Sequence, residues 1–200
     1  FVITFFFSCS EFEKKTEKEL AQEKFGDIPL VEYKPSPNPD KNAYFGDLHV
    51  HTENSFDAYA FGTTASPNDA YKYAKGEAIK HPTGYQVQLS RPLDFYAVTD
   101  HGVFLGLMKE AADPDSEIGQ YELTKPLHNL NENVSNSIIS IIRRANLFRP
   151  FAQELANNVQ DGTVDIKLLE KVSSDVWLKT IEAADQAYVP GTFTTFAAYE

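Results

Sequence analysis

The chain has 200 residues, 42% hydrophobic and 24% charged, and this balance is ordinary for one globular domain with a hydrophobic core. Its formal net charge of −11 argues against nucleic acid as the main partner, because contact with phosphate backbones needs a basic face. No apolar run in the sequence reaches the length that a membrane-spanning helix needs.

The first ten residues, FVITFFFSCS, are predicted to be the end of an export signal. An apolar core followed by small residues is typical of such signals. Cys9 is the only cysteine of the chain, and its place resembles the lipidation site of bacterial lipoproteins. This predicts an exported periplasmic or outer-membrane lipoprotein, attached to the membrane through lipidated Cys9. A truncated secretory signal or a frayed apolar end would explain the same residues.

Residues 11–41 are predicted to be a tether between this leader and the folded domain. The stretch EFEKKTEKELAQEK is dense in charges of both signs, which is typical of a solvated helix or a disordered segment. It is followed by KPSPNPDK, in which three prolines mark a linker. The folded domain is therefore expected to span residues 42–200.

Two strands and one helix are predicted in the first half of this domain. Residues 43–51 carry apolar side chains in a strand-like pattern, and residues 92–99 form a short apolar run that indicates a buried strand. Between them a helix is predicted over residues 67–79. Ser66 can cap that helix, and Pro67 suits its first turn.

Two longer helices and a last strand are predicted in the second half. Apolar residues recur at helical spacing at Val134, Ile138, Ile141, Ile142, Ala145 and Phe148, and again at Leu169, Val172, Val176, Ile181 and Ala184. Pro150 is expected to interrupt the first helix or to open another. A turn at Pro190-Gly191 then leads to the strand candidate TFTTFAAYE. Strands that alternate with helices predict an α/β fold with parallel strands.

The stretch DLHVHT at residues 47–52 places two histidines two positions apart. Side chains alternate along a strand, so His49 and His51 would share one face and could reach one ion. A chance pair of strand histidines is the commoner explanation of so short a motif when nothing else supports it.

Further metal-ligand candidates follow the other predicted strands. Asp57 lies eight residues after His49, where a loop could fold it back toward the histidines. His101, in TDHG, follows the second strand, and Glu200 ends the last one. Parallel strands place their carboxyl ends at one edge, where α/β folds hold their chemistry. Imidazole and carboxylate donors suit zinc, manganese or iron.

Three stretches closely resemble the bacterial DUF3604 family, which lies within the PHP (polymerase and histidinol phosphatase) superfamily of metal-dependent hydrolases. They are YFGDLHVHTENSFDAY, KGEAIKHPTGYQVQLSRPLDFYAVTDHG and TFTTFAAYE, and the resemblance covers residues 42–107 and 191–200. It implies a distorted (β/α)7 barrel with two or three divalent metal ions at its mouth. Three predicted strands cannot close such a barrel, so the chain is expected to be an N-terminal fragment that is inactive by itself.

The resemblance also implies roles for individual residues. It implies metal ligands at His49, His51, Asp57, His101 and Glu200. Asp100 and His101 are the expected catalytic residues, with Asp100 orienting a neighbour rather than binding metal. Ala198 stands where the pattern of the superfamily has a glycine.

The expected activity is that of a metal-dependent hydrolase, namely a phosphoesterase that uses a metal-bound hydroxide. Its partner would be a small-molecule ester, expected to be phosphorylated. The alternative is an exported metal-binding lipoprotein with a PHP-like scaffold and no turnover. Candidates for additional contacts to substrate phosphate are Lys75, Arg91, Arg143 and Arg144.

Several other residues have a structural interpretation. His81 and His128 are expected to be surface or hydrogen-bonded histidines, and Trp177 is expected in the core. The pair Arg143-Arg144 is expected on a solvated helix face. Three aromatic residues could either line a substrate pocket or pack a loop onto the fold: Phe56, Tyr59 and Phe61.

Overall fold

A computed structural model describes residues 42–132, 134 and 137–200. The predicted export signal at residues 1–10, with Cys9, and the predicted tether at 11–41 lie outside these residues. The strands are β1 Gly46–Asp47, β2 Ile79–Lys80, β3 Gln86–Val87, β4 Phe95–Val98 and β5 Thr194–Ala197. The α-helices are α1 Phe56–Phe61, α2 Pro67–Ala74, α3 Leu107–Ala112, α4 Ile138–Gln160 and α5 Ile166–Ala187, and 3₁₀ turns cover Ile118–Gln120 and Glu122–Leu127.

Three of the strands form a small parallel sheet in the order β1-β4-β5. In its register Gly46 pairs with Phe95, and Phe95 pairs with Thr194. The mixed α/β class with parallel strands is therefore confirmed. Strands β2 and β3 form a separate antiparallel hairpin, which the sequence pattern did not predict.

The first predicted strand is much shorter than residues 43–51. Only Gly46 and Asp47 are paired as a strand, so the two histidines follow β1 instead of sharing one of its faces. Phe45 and Leu48 are each 54% exposed, and no buried apolar face extends the strand. The Asp47 carboxylate accepts a hydrogen bond from the His49 N–H, which bends the chain directly after β1.

Helix α2 begins where the sequence predicts. Ser66 accepts a hydrogen bond from the Asp69 N–H, and the Asp69 carboxylate accepts one from the Ser66 N–H, which forms a reciprocal capping box. The helix ends at Ala74, five residues earlier than predicted. Gly76 has a φ of +83°, a left-handed conformation that a helix cannot continue through.

Helix α4 continues through Pro150, so the predicted interruption at this residue is wrong. Pro150 removes one backbone hydrogen bond, to the carbonyl group of Asn146, but both residues are exposed and water can replace the lost donor. Ile142, one of the apolar residues that recur at helical spacing on this helix, is 54% exposed.

Helix α5 and the segments after it agree with the predictions. Val176 and Ala184 of α5 are buried. Ala184 packs with α2 onto Tyr96 and Val98 of the sheet, whereas Leu169 and Val172 of the same stripe pack against a second cluster. A turn at Pro190-Gly191 joins α5 to β5. The second apolar cluster lies among α1, α3, α4 and the 3₁₀ turns.

Trp177 is only half-buried and lies edge-on to the exposed Tyr199, rather than in the core as predicted.

Candidate metal centre

Five side chains meet at the carboxyl edge of the parallel sheet. His49 and His51 follow β1, His101 follows β4, and Glu200 follows β5. Asp57 comes from the first turn of α1. The structure thus brings together all five residues for which the sequence predicts metal ligation.

One group of donors consists of His49, His51 and Glu200. Glu200 Oε2 lies 3.2 Å from His49 Nε2 and 2.7 Å from His51 Nε2. The two imidazole centroids are 5.1 Å apart. His49 has 71% of its side chain exposed, so this group opens to solvent.

The second group consists of His51, Asp57 and His101. His51 takes part with its other nitrogen, Nδ1, which lies 3.1 Å from both carboxylate oxygens of Asp57. His101 Nε2 is 3.5 Å from Asp57 Oδ2, and its Nδ1 is 3.6 Å from Glu200 Oε2. All three side chains of this group are at least partly buried. The groups are therefore contiguous and share His51.

The donor set fits divalent cations. Two ligands on a tetrahedral zinc ion lie roughly 3.4 Å apart, because each bond is about 2.0–2.1 Å long. Within the two groups, distances of 3.1, 3.2 and 3.5 Å between imidazole nitrogens and carboxylate oxygens lie close to that value, whereas the 2.7 Å from His51 Nε2 to Glu200 Oε2 is that of a hydrogen bond. Within each group the candidate ligand atoms all lie within 4.8 Å of one another. Three imidazoles and two carboxylates are suitable ligands for zinc, manganese or iron.

Ser55 is a buried hydroxyl that organises the second group. Its Oγ donates a hydrogen bond to Asp57 Oδ1 at 2.7 Å and lies 3.3 Å from His51 Nδ1. It also accepts a hydrogen bond from the backbone N–H of His101. The sequence did not predict a role for Ser55, because helix α1, which it precedes, was not predicted either.

The Asp57 carboxyl is held in its ionised form. Burial by itself would raise its pKa, but hydrogen bonds from the Ser55 hydroxyl and the Ala58 N–H, with the neighbouring His51, together lower that pKa below 3.8. An ionised carboxylate at this position is the form that binds a cation.

Glu200 is fixed through its backbone. Its N–H donates to the Asp100 carbonyl oxygen, and its own carbonyl accepts from the Gly102 N–H, so β5 stays beside the chain that leaves β4. A hydrogen bond with His51 lowers the pKa of the exposed Glu200 carboxyl, and the three nearby imidazoles act in the same direction.

Asp100 lies beneath the cluster and has only 2% of its surface exposed. Both of its carboxylate oxygens accept hydrogen bonds from Thr52, one from the backbone N–H and one from the hydroxyl at 2.7 Å. Burial raises the pKa of Asp100, although the Thr52 hydrogen bonds oppose this. This contact fixes the chain directly after His51, and a catalytic role for Asp100 stays a prediction.

Aromatic packing supports His101. The Phe56 ring stacks on its imidazole with centroids 4.7 Å apart and an angle of 19° between the planes. Of the three aromatic residues predicted to line a pocket or to pack, Phe56 and Tyr59 belong to the packed apolar cluster, whereas Phe61 is 54% exposed.

The four basic side chains that were predicted to contact substrate phosphate lie in different surroundings. Arg144 is only 5% exposed and bonds backbone carbonyls, so it is neither on a solvated face nor available to a substrate. Arg143 is exposed, Lys75 is half-buried at the end of α2, and the Arg91 guanidinium lies over the Phe45 ring.

The two remaining histidines have local partners. His81 Nδ1 lies 2.8 Å from the Thr83 hydroxyl, and its ring stacks on Tyr85. His128 Nε2 lies 2.9 Å from the carbonyl oxygen of Gly119. Neither belongs to a candidate metal-binding group of the described residues.

Fold and site together define a mixed α/β protein with a candidate cation-binding cluster at the carboxyl edge of a parallel sheet. The sequence pattern of DUF3604, described as a protein of unknown function, matches residues 38–200. The chain therefore belongs to the DUF3604 family. Comparisons with curated proteins and with solved structures gave no match. Among the helices that the structure describes, none is long and apolar enough to cross a membrane.

Proposed function

We propose that this protein is a metal-dependent hydrolase that acts on small phosphoesters and is built on a PHP-type barrel. The observation that carries this proposal is the convergence of three imidazoles and two carboxylates at the ends of three parallel strands. Export, with lipid attachment at Cys9, is part of the same proposal and rests on the sequence of residues 1–10.

The residues divide naturally between two cations. His49, His51 and Glu200 would hold one, and Asp57 with His101 would hold the other. When bound, such cations supply Lewis acidity that polarises a substrate oxygen and neutralises developing negative charge. A phosphoester would suit a site that holds two cations, because its phosphoryl oxygens carry the negative charge that cations neutralise.

The chain's own groups prepare the site for that chemistry. The Ser55 hydroxyl and the Ala58 N–H keep Asp57 ionised. Asp100 holds the backbone that follows His51, and Phe56 covers one face of the His101 ring. Groups that are oriented before the substrate arrives need no reorganisation in the transition state.

Metal analysis followed by activity assays on the full-length protein tests this proposal. We expect bound divalent metal and hydrolysis of p-nitrophenyl phosphate or bis(p-nitrophenyl) phosphate, both lost on treatment with a chelator and restored by added metal. His51→Ala should lower both metal content and hydrolysis. The matched control His81→Ala, which replaces a histidine outside the site, should leave both unchanged. Stoichiometric metal without hydrolysis of either ester would contradict the enzyme and support the metal-binding lipoprotein instead.

A further inference from the structure

We propose that Arg144 and Phe148, one turn apart on helix α4, are positioning residues for the Asp57–His101 half of the metal centre. This inference rests on the metal centre of the proposed function and identifies what holds that half in place. Neither residue touches a candidate ligand directly. Both act through helix α1, which carries Asp57.

Arg144 holds the carboxyl end of α1. Its Nε donates to the Ala60 carbonyl at 3.1 Å, and its Nη2 donates to the Tyr59 carbonyl at 3.3 Å. The remaining acceptors are the Leu130 carbonyl and the Asn131 side-chain oxygen. The guanidinium thus adds donors at the carboxyl end of α1, where the Tyr59 carbonyl also accepts from the Gly62 N–H.

Asn131 reinforces the same connection. Its side-chain N–H₂ group donates to the carbonyl oxygens of Tyr59 and Thr63, while its oxygen accepts from Arg144. Each acceptor of the Arg144 guanidinium is therefore a carbonyl oxygen rather than a carboxylate. Burial of a charge among neutral acceptors costs solvation free energy. Fixing this helix end with Arg144 therefore lowers the stability of the fold.

Phe148 holds the other end of α1. Its ring stacks on Phe56, the first residue of α1, with centroids 4.2 Å apart and planes at 14°. Phe56 in turn stacks on the His101 imidazole. Phe104 meets Phe56 and Phe148 edge-on, at 80° and 88°, and closes the side of this stack. The plane of the His101 ring is thereby tied to helix α4.

Helix α1 depends on these contacts. It has six residues, and isolated helices of that length are unstable in water. Its orientation must come from tertiary packing, which α4 supplies at both ends. Asp57 is its second residue, so a shift of α1 would move Asp57 and release His101 together. The donors after β1 and β5, His49 and Glu200, are positioned by the sheet and would stay in place.

The matched substitutions Phe148→Leu and Phe151→Leu test this inference. Phe151 lies three residues further along α4 and is 4% exposed, but it belongs to the apolar core and not to the stack. Titration of the full-length protein with Co²⁺, followed by visible absorbance and calorimetry, would report the affinity of each ion. In Phe148→Leu we expect one ion to bind about 10- to 100-fold more weakly, the usual effect of losing an outer support.

The other ion should keep its affinity in Phe148→Leu, and both ions should keep theirs in Phe151→Leu. The His49→Ala background identifies the ion, because the one that remains there should be the one that Phe148→Leu weakens. Equal weakening of both ions, or the same loss in Phe151→Leu, would show a merely structural role and overturn the inference.

Arg144 is tested by comparing Arg144→Lys with Arg144→Met. Lys keeps the charge but not the fork of donors, so its Co²⁺ affinity should lie between those of the wild type and Arg144→Met. If Arg144→Met does not fold, NMR spectra of the metal-free Phe148→Leu protein provide an independent measurement. The ring protons of His101 should shift in NMR spectra when the stack is loosened, while those of His81 should not.

Unchanged His101 resonances in Phe148→Leu would overturn the inference whether or not metal binds. A different result would contradict the proposed hydrolase function. A wild-type protein that binds Co²⁺ but hydrolyses no ester contradicts the proposed function alone. Co²⁺ affinities that Phe148→Leu leaves unchanged, in a protein that does hydrolyse phosphoesters, contradict the positioning inference alone.

Discussion

His51 has the most connected side chain of the candidate centre, since its two nitrogens face Glu200 and Asp57. We expect His51→Ala to weaken the ion held with His49 and Glu200 by more than the roughly 100-fold that loss of an outer support costs, while the ion at Asp57 and His101 is weakened less. Zn²⁺ titration by calorimetry measures this directly. In His81→Ala, which removes a histidine with local partners, both affinities should be those of the wild type. Wild-type affinity for both ions in His51→Ala would contradict the ligand assignment.

The lowered pKa of Asp57 predicts a pH dependence of stability. Its folded pKa lies below the value of 3.8 that applies to the unfolded chain, so its ionised form stabilises the fold above that pH. This stabilisation is lost as the pH falls through the folded pKa. In urea unfolding with chelator present, the wild type should be more stable than Asp57→Asn at pH 7, and the difference should shrink below pH 3.8. A difference that stays constant with pH would contradict the assignment.

Asp100 is expected to contribute to stability through Thr52. Asp100→Ala leaves a buried hydroxyl and a buried N–H of Thr52 without acceptors, which should lower the free energy of unfolding by about 2 kcal/mol. Asp100→Asn keeps one acceptor and should lose less. Urea denaturation of the metal-free proteins measures both. Equal stability of Asp100→Ala and the wild type would show that the contact is unimportant for folding.

At the scale of residues, chemical type and position in or near the predicted strands were enough to predict the five side chains that the structure brings together. The reason given for His49 and His51 was wrong, because both follow β1 instead of sharing its face. Ser55 and Arg144 have roles that depend on contacts distant in the sequence, such as the bond from Arg144 to Ala60. Spacing along the chain contains no information about such contacts.

Helix α4 shows how an element can tolerate an unfavourable residue. Pro150 occupies an interior position of this 23-residue helix. We expect Pro150→Ala to raise the free energy of unfolding by about 1–3 kcal/mol, because alanine restores a backbone donor and removes a steric clash. Chemical denaturation measures the change, with Glu154→Ala at another exposed site as the control. A Pro150→Ala protein that is no more stable than the wild type would indicate that the proline fits a bend that packing requires.

Elements with strong local signals were predictable. The start of α2 follows from Ser66 and Pro67, and α5 follows from an apolar stripe that the structure buries. Helix α1 was missed because six residues are too few for a periodic pattern. The hairpin of β2 and β3 was missed because each strand has only two residues. The length of β1 depends on its pairing with β4, which lies nearly fifty positions later.

The whole molecule should be stabilised by the cations it binds. A ligand that binds only the folded state stabilises it by about 2.7 kcal/mol at one hundred times its dissociation constant. Urea unfolding with Zn²⁺ at that excess should show this increase, and a chelator should remove it. His51→Ala should show a smaller increase, because one of the two ions loses a ligand. Zn²⁺ that stabilises the wild type and His51→Ala equally would place its binding elsewhere in the molecule.

Fold class was predictable at this scale because alternating helices and strands have few arrangements. The parallel order β1-β4-β5 confirms that class. The closed seven-strand barrel stays a prediction, because the parallel sheet of the described residues has three strands. An apolar run identifies a strand but does not specify how many neighbours that strand joins.

The position of His51 between two carboxylates makes the two ions interdependent. A neutral imidazole has one lone pair and one N–H, so it can coordinate a cation on only one side at a time. If Nε2 binds an ion beside Glu200, the proton resides on Nδ1 and is donated to Asp57, in the arrangement usual for metal-bound histidines. The tautomer of the His51 ring therefore decides which of the two groups of donors keeps all its ligands. The cation in the other group must bind with one imidazole fewer.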